Sequence, residues 1–195
     1  MDLILASASP RRAELLAAAR IPFRVQPVEV DEDPRTGEDP AAYVERVAGD
    51  KARALVCRES GAVVLAADTT VVARGEILGK PADDRDAIRM LELLSGREHV
   101  VLTGVALRRG PELVTLVERS KVRFLQLSPE EIAWYVATGE PRGKAGAYAI
   151  QGLASRFVER ISGSYSNVVG LPVAQVYRLL CGMGVDGELR GGARA

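Results

Sequence analysis

The stretch Ala62-Val-Val-Leu-Ala-Ala-Asp-Thr-Thr-Val-Val-Ala73 decides the fold. Apolar residues occupy nearly every position rather than alternate ones, which is typical of a strand buried on both faces at the centre of a sheet. Asp68 interrupts the run, and an isolated carboxylate there is costly unless it is hydrogen-bonded, paired or bound to a metal. The stretch therefore predicts a central strand with a functional carboxylate; an aspartate that caps a turn at the strand end is the alternative.

Strand and helix patterns alternate on both sides of this strand. Arg109-Gly110-Pro111 separates two strand patterns as a hairpin turn would, so we expect a mixed sheet rather than a purely parallel one. The predicted fold class is α/β, with a mixed twisted sheet and flanking helices. The further strands are expected at 2–6, 23–30, 77–78, 99–108, 113–127 and 156–161, and the helices at 9–19, 40–58, 84–94, 128–139 and 173–181.

Length and composition favour one soluble domain in the cytoplasm. The 195 residues are 47% hydrophobic and 27% charged, so the chain can bury a core without disulfides or structural metals. We expect a single domain over residues 1–184 and a flexible tail over 185–195. The sequence shows no signal peptide, membrane span or CxxC pair. Because 26 basic residues balance 26 acidic ones, a nucleic acid polymer is not expected as a partner.

Two arginines stand where a helix disfavours cations. A helix is predicted to begin at Ser9, with Pro10 as its first residue. Arg11 and Arg12 then fall in its first turn, at the positive end of the helix dipole. A bound phosphate would offset this, because backbone N–H groups, guanidinium groups and the Ser7 hydroxyl together form an anion site. Alternatively, the arginines point into solvent or pair with a neighbouring carboxylate.

Lysine is rare in this chain, which contains 22 arginines and four lysines, and Lys51, Lys80 and Lys144 lie in motif-like stretches. The sequence around Lys80 is not a P-loop, since the glycine spacing is wrong and a proline follows the lysine, but Lys80 can still contact a phosphate as a point charge. Residues 143–152 are typical of a ligand loop. Their Gln151 offers a donor and an acceptor to a base edge. A glycine-rich connection without a ligand is the alternative.

A second candidate carboxylate follows the second predicted strand. Glu32, between Asp31 and Asp33, can supply the second carboxylate of a magnesium site shared with substrate phosphates, although acidic loops are usually only solvated. Thr69 adds a short polar contact beside Asp68. His99 is the only histidine, and we interpret it as structural because no serine or cysteine stands in a nucleophile motif. These residues favour metal-assisted chemistry on a phosphate chain.

Several motifs follow one another along residues 3–180: Ser7-Ala-Ser-Pro-Arg-Arg12, Asp31-Glu32, Lys51, Ala67-Asp68-Thr69, Gly79-Lys80-Pro81, Ser95-Gly96, Thr103-Gly104, Lys144 to Gly152 and Gly163 to Pro172. In this order they resemble the Maf family of nucleoside triphosphate pyrophosphatases. The resemblance implies a fold similar to that of inosine triphosphate pyrophosphatases, with two lobes around a nucleotide cleft. It also implies release of pyrophosphate with Mg²⁺ or Mn²⁺.

The resemblance assigns roles position by position. Asp68 corresponds to the proposed general base, and Glu32 to a metal ligand; whether Asp68 is base, metal ligand or both is left open. Three positions match the subgroup that acts on dTTP and UTP: Arg11, Thr69 and Gln151. Five more correspond to phosphate- or substrate-facing positions: Ser7, Arg12, Lys51, Lys80 and Lys144. The expected reaction is hydrolysis of dTTP and UTP to the monophosphate and pyrophosphate, with modified nucleotides as further substrates.

The expected partner is a nucleoside triphosphate, and no membrane partner is expected. A second copy of the chain, in a homodimer, is the alternative to a monomer. Two other functions stay open at this stage. One is a nucleotide-sensing protein that arrests cell division by binding a partner, as the family's link to septum formation suggests. The other is a phosphatase or kinase, which the missing P-loop disfavours.

Overall fold

The structure is a computed structural model and describes residues 2–56 and 61–185. Among these residues the helices are interspersed with single strands and strand pairs. The strands are β1 (Leu3–Leu5), β2 (Arg24–Val25), β3 (Val63–Ala73), β4 (Glu76–Leu78), β5 (Glu98–Arg109), β6 (Glu112–Phe124) and β7 (Val158–Ser162). The α-helices are α1 (Pro10–Ala18), α2 (Pro40–Ala54), α3 (Asp84–Leu94), α4 (Pro129–Ala137), α5 (Tyr165–Val169) and α6 (Val173–Gly182). None of the described helices has the length and apolar character that a membrane crossing requires.

The strands form a mixed sheet in the order β2-β1-β3-β5-β6-β7, and β4 also pairs with β3. β1 runs parallel to β2 and to β3, whereas the β3–β4 and β6–β7 pairs are antiparallel. β3 is buried along most of its length, and Asp68 lies at its middle. The predicted mixed α/β class and the predicted central strand are confirmed.

The chain divides into two compact units. The first unit comprises the described residues within Met1–Asp68, Thr103–Glu118 and Gly170–Ala195, and the second comprises Thr69–Leu102 and Arg119–Val169. The single domain over residues 1–184 stays a prediction. The predicted tail lies outside the described residues except for Val185.

In the first unit, β1 is covered on both faces. Leu3 and Leu5 belong to a buried cluster that includes residues of α1 and α6. Ile4 and Ala6 belong to another, which includes residues of α2. Because successive side chains of a strand point to opposite faces, the helices must lie on both sides of β1. This packing holds α1 and α6 against one face of β1 and α2 against the other.

Some predicted boundaries are wrong. The strand expected at 23–30 is only Arg24–Val25: β2 is an exposed edge strand, and the N–H of Gln26 still donates to the carbonyl of Leu5 just beyond its end. The helix expected to reach residue 58 ends at Ala54, and residue 58 lies outside the described residues. Two 3₁₀ helices, Ala145–Ala147 and Leu153–Phe157, and helix α5 were not predicted, because their glycine- and serine-rich sequences lack a helical apolar pattern.

Gly104 lets β5 approach α2 closely. A Cβ at this position would contact the carbonyl group of Val44 and would lie 2.8 Å from the backbone nitrogen of Glu45. Backbone atoms of a packed helix cannot move aside, so a residue with a side chain does not fit here. The contact fixes the distance of α2 from the sheet, and α2 carries Lys51.

His99 lies in the core of the second unit, as predicted for a structural residue. Its side chain is 2% exposed, and its Nε2 lies 2.9 Å from the hydroxyl of Tyr148. The rings of Phe124 and Tyr148 meet it edge to face, at centroid distances of 5.1 and 5.4 Å. Burial lowers the pKa of His99 to about 4, so the imidazole is neutral at pH 7.

We expect acid to destabilise the fold through His99. His99 binds a proton near pH 6.5 in the unfolded chain but only near pH 4 in the folded chain. The contribution of neutral His99 to the free energy of unfolding is therefore complete above pH 6.5 and is lost as the pH falls towards 4. The loss amounts to about 3 kcal/mol. Urea unfolding across this range should show a smaller pH dependence in His99→Gln, which does not titrate. An equal pH dependence in both proteins would contradict the assignment.

Candidate active site

The ten predicted site residues fall into two groups. Each group is positioned by the elements of its own unit. The first unit holds Ser7, Arg11, Arg12, Glu32, Lys51 and Asp68. The second holds Thr69, Lys80, Lys144 and Gln151.

Lys51 joins the two predicted carboxylates of the first unit. Its Nζ lies 2.7 Å from Glu32 Oε1 and 2.8 Å from Asp68 Oδ1. The whole residues Lys51 and Asp68 are only 6% and 7% exposed, whereas the side chain of Glu32 is 41% exposed. The carboxylate that interrupts the apolar strand is therefore paired, which offsets the cost of its burial. Asp68 lies mid-strand in β3, so the alternative of an aspartate capping a turn is wrong.

Helix α2 places Lys51 in this position. Tyr43, Val47 and Lys51 follow one another at intervals of four residues and are all buried, so they lie along the inner face of the helix. A lysine on this face must reach a partner, because a buried ammonium group without one is costly. The helix begins at Pro40, where the Asp39 carboxylate accepts hydrogen bonds from two N–H groups of the first turn.

Arg12 is buried at the start of α1. Its Nη1 donates to Ser7 Oγ at 3.0 Å, and its Nε donates to the carbonyl oxygen of Gly170 at 2.8 Å. Burial is the main cause that lowers the pKa of Arg12, and the Arg11 charge adds to it, whereas the charges of Asp68 and Glu32 oppose it. A guanidinium group stays protonated even so. The interpretation that Arg12 points into solvent is wrong.

Tyr43 contacts the candidate site and was not singled out from the sequence. Its hydroxyl donates to the backbone carbonyl of Glu32 at 2.9 Å and so fixes the acidic loop. Burial, followed by the charges of Asp68 and Glu32, raises the pKa of Tyr43, which therefore remains a neutral donor. The four-residue spacing from Tyr43 through Val47 to Lys51 is the signal that would have revealed it.

The acidic loop has a second attachment to α2. Arg46 Nε lies 2.6 Å from Glu38 Oε1, and Arg46 Nη2 donates to the carbonyl of Asp33 at 3.1 Å. The paired arginine lowers the pKa of Glu38 to about 2. Together with the Tyr43 hydroxyl, these bonds hold Glu32 and the residues that follow it against one helix.

In the second unit, two lysine-bearing segments are bonded together. The N–H of Gly146 donates to the carbonyl of Gly79 at 3.0 Å, next to Lys80 and two residues after Lys144. Gly146 has a φ of 68° and lies so close to Val71 that a Cβ would come within 2.7 Å of that side chain. Only glycine suits this position, which keeps the lysine loop against β3.

Gln151 is exposed on a turn that follows this loop. The turn is closed by a hydrogen bond of 3.0 Å from the N–H of Gly152 to the carbonyl of Ala149. Thr69 is half-buried and follows Asp68 directly along β3.

The donor set of the first unit suits a hard divalent cation. Glu32 and Asp68 supply carboxylate oxygens that share one lysine. Within residues 2–56 and 61–185, no cluster of three or more histidine, cysteine, aspartate or glutamate side chains could hold a metal by itself. Mg²⁺ binds typically through one or two carboxylates and completes its shell with substrate phosphates and water. Two carboxylates therefore fit an Mg²⁺ ion that takes its remaining ligands from outside the protein.

The sequence of this chain is similar to those of known proteins over almost all of its length. The family model described as Maf-like protein matches residues 2–183. The chain belongs to the Maf-like protein family. A Maf-like relative from Koribacter versatilis (strain Ellin345) is 53% identical over 186 residues, which cover 95% of this chain and 96% of the relative. One from Symbiobacterium thermophilum is 56% identical over 183 residues, which cover 94% of each chain. Both relatives are named dTTP/UTP pyrophosphatase.

Two solved structures match the Maf-like chain more weakly. The Ham1 protein of Staphylococcus aureus is 13% identical with a TM-score of 0.39, over 64% of this chain and 72% of that one. The Ham1 protein of Coxiella burnetii is 19% identical with a TM-score of 0.41, over 64% and 73%. The α/β assignment of the Maf-like chain rests on its own strand order.

We expect Lys51→Met to destabilise the Maf-like fold by about 3–5 kcal/mol, because it leaves the Asp68 carboxylate buried without its partner. Urea unfolding at pH 7 measures the change. Adding Asp68→Asn should restore part of the loss, since the uncompensated charge is then removed. Lys121→Met is the matched control: its pair with Glu98 is exposed, so its loss should stay below about 1 kcal/mol. Equal losses in the two single variants would contradict the prediction.

Proposed function

We propose that this chain is a nucleoside triphosphate pyrophosphatase that hydrolyses dTTP and UTP to the monophosphate and pyrophosphate. Relatives named for this activity are 53% and 56% identical over almost the full length of both chains. The structural observation that carries the proposal is the buried Lys51 between Glu32 and Asp68. Such a site combines carboxylates for a metal and a proton with a cation for phosphate oxygens.

The proposed base is Asp68. Lys51 contacts its Oδ1, and we assign the second oxygen, Oδ2, to the attacking water. Asp68 accepts a proton from this water as the water oxygen bonds to the α-phosphorus. The bond between the α-phosphorus and the bridging oxygen then breaks, and pyrophosphate leaves with the electron pair. Mg²⁺ or Mn²⁺, which Glu32 and Asp68 would hold, would neutralise charge on the phosphate oxygens.

The start of α1 is proposed to bind phosphate. The side chain of Ser9, the N-cap residue, makes no capping hydrogen bond, and the dipole of a helix favours an anionic ligand at this end. Arg12 is held in place by Ser7 and Gly170, which prepares its charge before the substrate arrives. Pre-oriented cations stabilise developing phosphate charge without reorganisation at the moment of reaction.

The remaining predicted residues are assigned to substrate contacts and selectivity. Lys80 and Lys144 stay predicted phosphate contacts, supported by the hydrogen bond that ties their two segments together. Arg11, Thr69 and Gln151 stay the predicted determinants of thymine and uracil selectivity. The exposure of Gln151 on a closed turn suits a side chain that reads a base edge.

We also propose that the enzyme acts in the cytoplasm. Cys181 carries a free thiol, which suits a reducing compartment. The homodimer stays a prediction.

A nucleotide panel tests the proposed reaction. Purified protein with Mg²⁺ should release pyrophosphate, not orthophosphate, from dTTP and UTP, and should act less efficiently on CTP and purine nucleotides. Modified pyrimidine triphosphates extend the panel. Saturable binding without turnover would instead support a nucleotide-sensing protein, and orthophosphate release a phosphatase.

Asp68→Asn should lower kcat by about 10²–10⁴-fold, because the amide cannot accept the proton of the attacking water. Initial rates at several Mg²⁺ concentrations separate the two roles of Asp68. If Asp68 is only a base, the variant needs the same Mg²⁺ concentration as the wild type. If Asp68 is also a metal ligand, its loss raises the Mg²⁺ concentration required, as Glu32→Gln should. Asp2→Asn is the control, since Asp2 pairs with Arg24 on the exposed edge of the first unit. Full turnover by Asp68→Asn would refute the assignment of the base.

A further inference from the structure

The Glu140 carboxylate in the second unit accepts three hydrogen bonds. Its Oε1 accepts from the hydroxyl of Tyr135 at 2.8 Å and from the N–H of Ala154 at 3.3 Å. Its Oε2 accepts from the N–H of Leu153 at 3.0 Å. The two amide groups belong to the segment that follows Gln151, and Glu140 itself lies eleven positions earlier. A single carboxylate thus anchors one side of the Gln151 turn.

Tyr135 anchors the other side of the turn. Its hydroxyl donates to Glu140 and accepts from the N–H of Ala149 at 3.2 Å. The residue is fully buried in α4, and its ring packs edge to face on Phe157 at a centroid distance of 5.5 Å. Tyr135 and Glu140 therefore bind the backbone before and after Gln151 through one rigid polar pair.

Glu140 is itself held at the end of α4. Its N–H donates to Thr138 Oγ1 at 3.2 Å, and the Thr138 hydroxyl donates to the carbonyl of Tyr135 at 2.6 Å. These bonds tie the backbone of Glu140 to the end of α4. The Gln151 turn is therefore connected to the helix end through the Glu140 carboxylate.

The turn passes so close to Glu140 that a side chain at position 152 could fit only by moving the Glu140 carboxylate. A Cβ at Gly152 would contact the Glu140 carboxylate, with its Cδ only 2.6 Å away. The φ of Gly152 is −108°, which lies outside the left-handed region, so the obstacle to a side chain here is the space that the Glu140 carboxylate occupies. A side chain at position 152 would push the carboxylate off the amide groups that it binds.

This anchoring matters for base selectivity because a carboxamide can present its donor and acceptor in either of two orders. Gln151 offers a donor and an acceptor, and rotating the amide by half a turn exchanges them, so a mobile glutamine can pair with thymine, uracil or cytosine alike. A fixed backbone limits the positions and directions from which the Gln151 amide can meet a base edge, and this restriction is a precondition for favouring one pattern. We propose that Glu140, supported by Tyr135, is a positioning residue that makes the base selectivity of Gln151 possible. The proposal rests on the proposed function, in which Gln151 contacts the base.

The first test is independent of activity. Glu140→Gln keeps the size of the side chain but has one acceptor oxygen instead of two, so it cannot serve Leu153 and Ala154 as the carboxylate does. Amide hydrogen exchange should be faster at these two residues by about tenfold or more. Glu92→Gln is the matched control, since it removes the same charge from an exposed position of α3 in the same unit. Unchanged exchange in Glu140→Gln would overturn the proposal.

The second test measures selectivity. In Glu140→Gln, the ratio of kcat/KM for UTP to that for CTP should fall several-fold towards the ratio of Gln151→Ala. The turnover of UTP should persist, because the residues around Asp68 are unchanged. Gly152→Ala should produce the same loss of selectivity while Glu140 itself is unchanged. This variant therefore replaces Glu140→Gln in the test if Glu140→Gln folds poorly. The Glu92→Gln ratio should equal that of the wild type.

The outcomes separate the two proposals. A wild-type protein that releases no pyrophosphate from dTTP or UTP refutes the proposed function. A second outcome refutes only the role of Glu140. In it, the wild-type protein releases pyrophosphate and Gln151→Ala loses selectivity, but Glu140→Gln and Gly152→Ala keep the selectivity of the wild type. A parallel fall in kcat for all nucleotides, at an unchanged ratio, would also refute it, since that is what a purely structural residue would show.

Discussion

The buried ammonium group of Lys51, held between Glu32 and Asp68, is the interaction on which the first unit depends. Asp68 stands in a strand with apolar neighbours, where an unpaired carboxylate would be expensive. Lys51 can reach it only because α2 packs tightly on the sheet, and Gly104 permits that packing. The acidic loop must then follow α2, which the hydroxyl of Tyr43 ensures. The contacts of Lys51 with Glu32 and Asp68 thus depend both on the packing of α2 on the sheet and on the position of the acidic loop.

The second unit uses hydrogen bonds from buried groups to shape exposed loops. The N–H of Gly146 binds the Gly79 turn, and the Tyr135–Glu140 pair binds the segments around Gln151. Beneath these loops lies an aromatic core in which neutral His99 contacts Tyr148. Loops that carry substrate-binding residues are most precise when a rigid scaffold holds their backbone. The backbone of both loops of the second unit is held in this way.

Much of the fold could be predicted because its signals are local. Ser128 and Glu131 form the capping box that begins α4 where the sequence indicated, and the apolar run around Asp68 is the central strand. The family and the enzyme class were also predicted, since the motifs lie in the order that defines them. The length of β2 was wrong because an edge strand ends where pairing ends, which propensity alone does not reveal. The roles of the individual site residues stay proposals.

The sequence by itself determined which residue types were available for phosphate chemistry and in what order they occur: the arginines at the start of α1, the rare lysines, and the aspartate inside an apolar strand. Only the tertiary structure decided their partners. Lys51 is 17 residues from Asp68, Arg12 is 158 residues from Gly170, and Glu140 is 13 residues from Leu153. Such contacts depend on how helices pack on the sheet and how turns return, and packing is a property of the whole chain rather than of any local pattern.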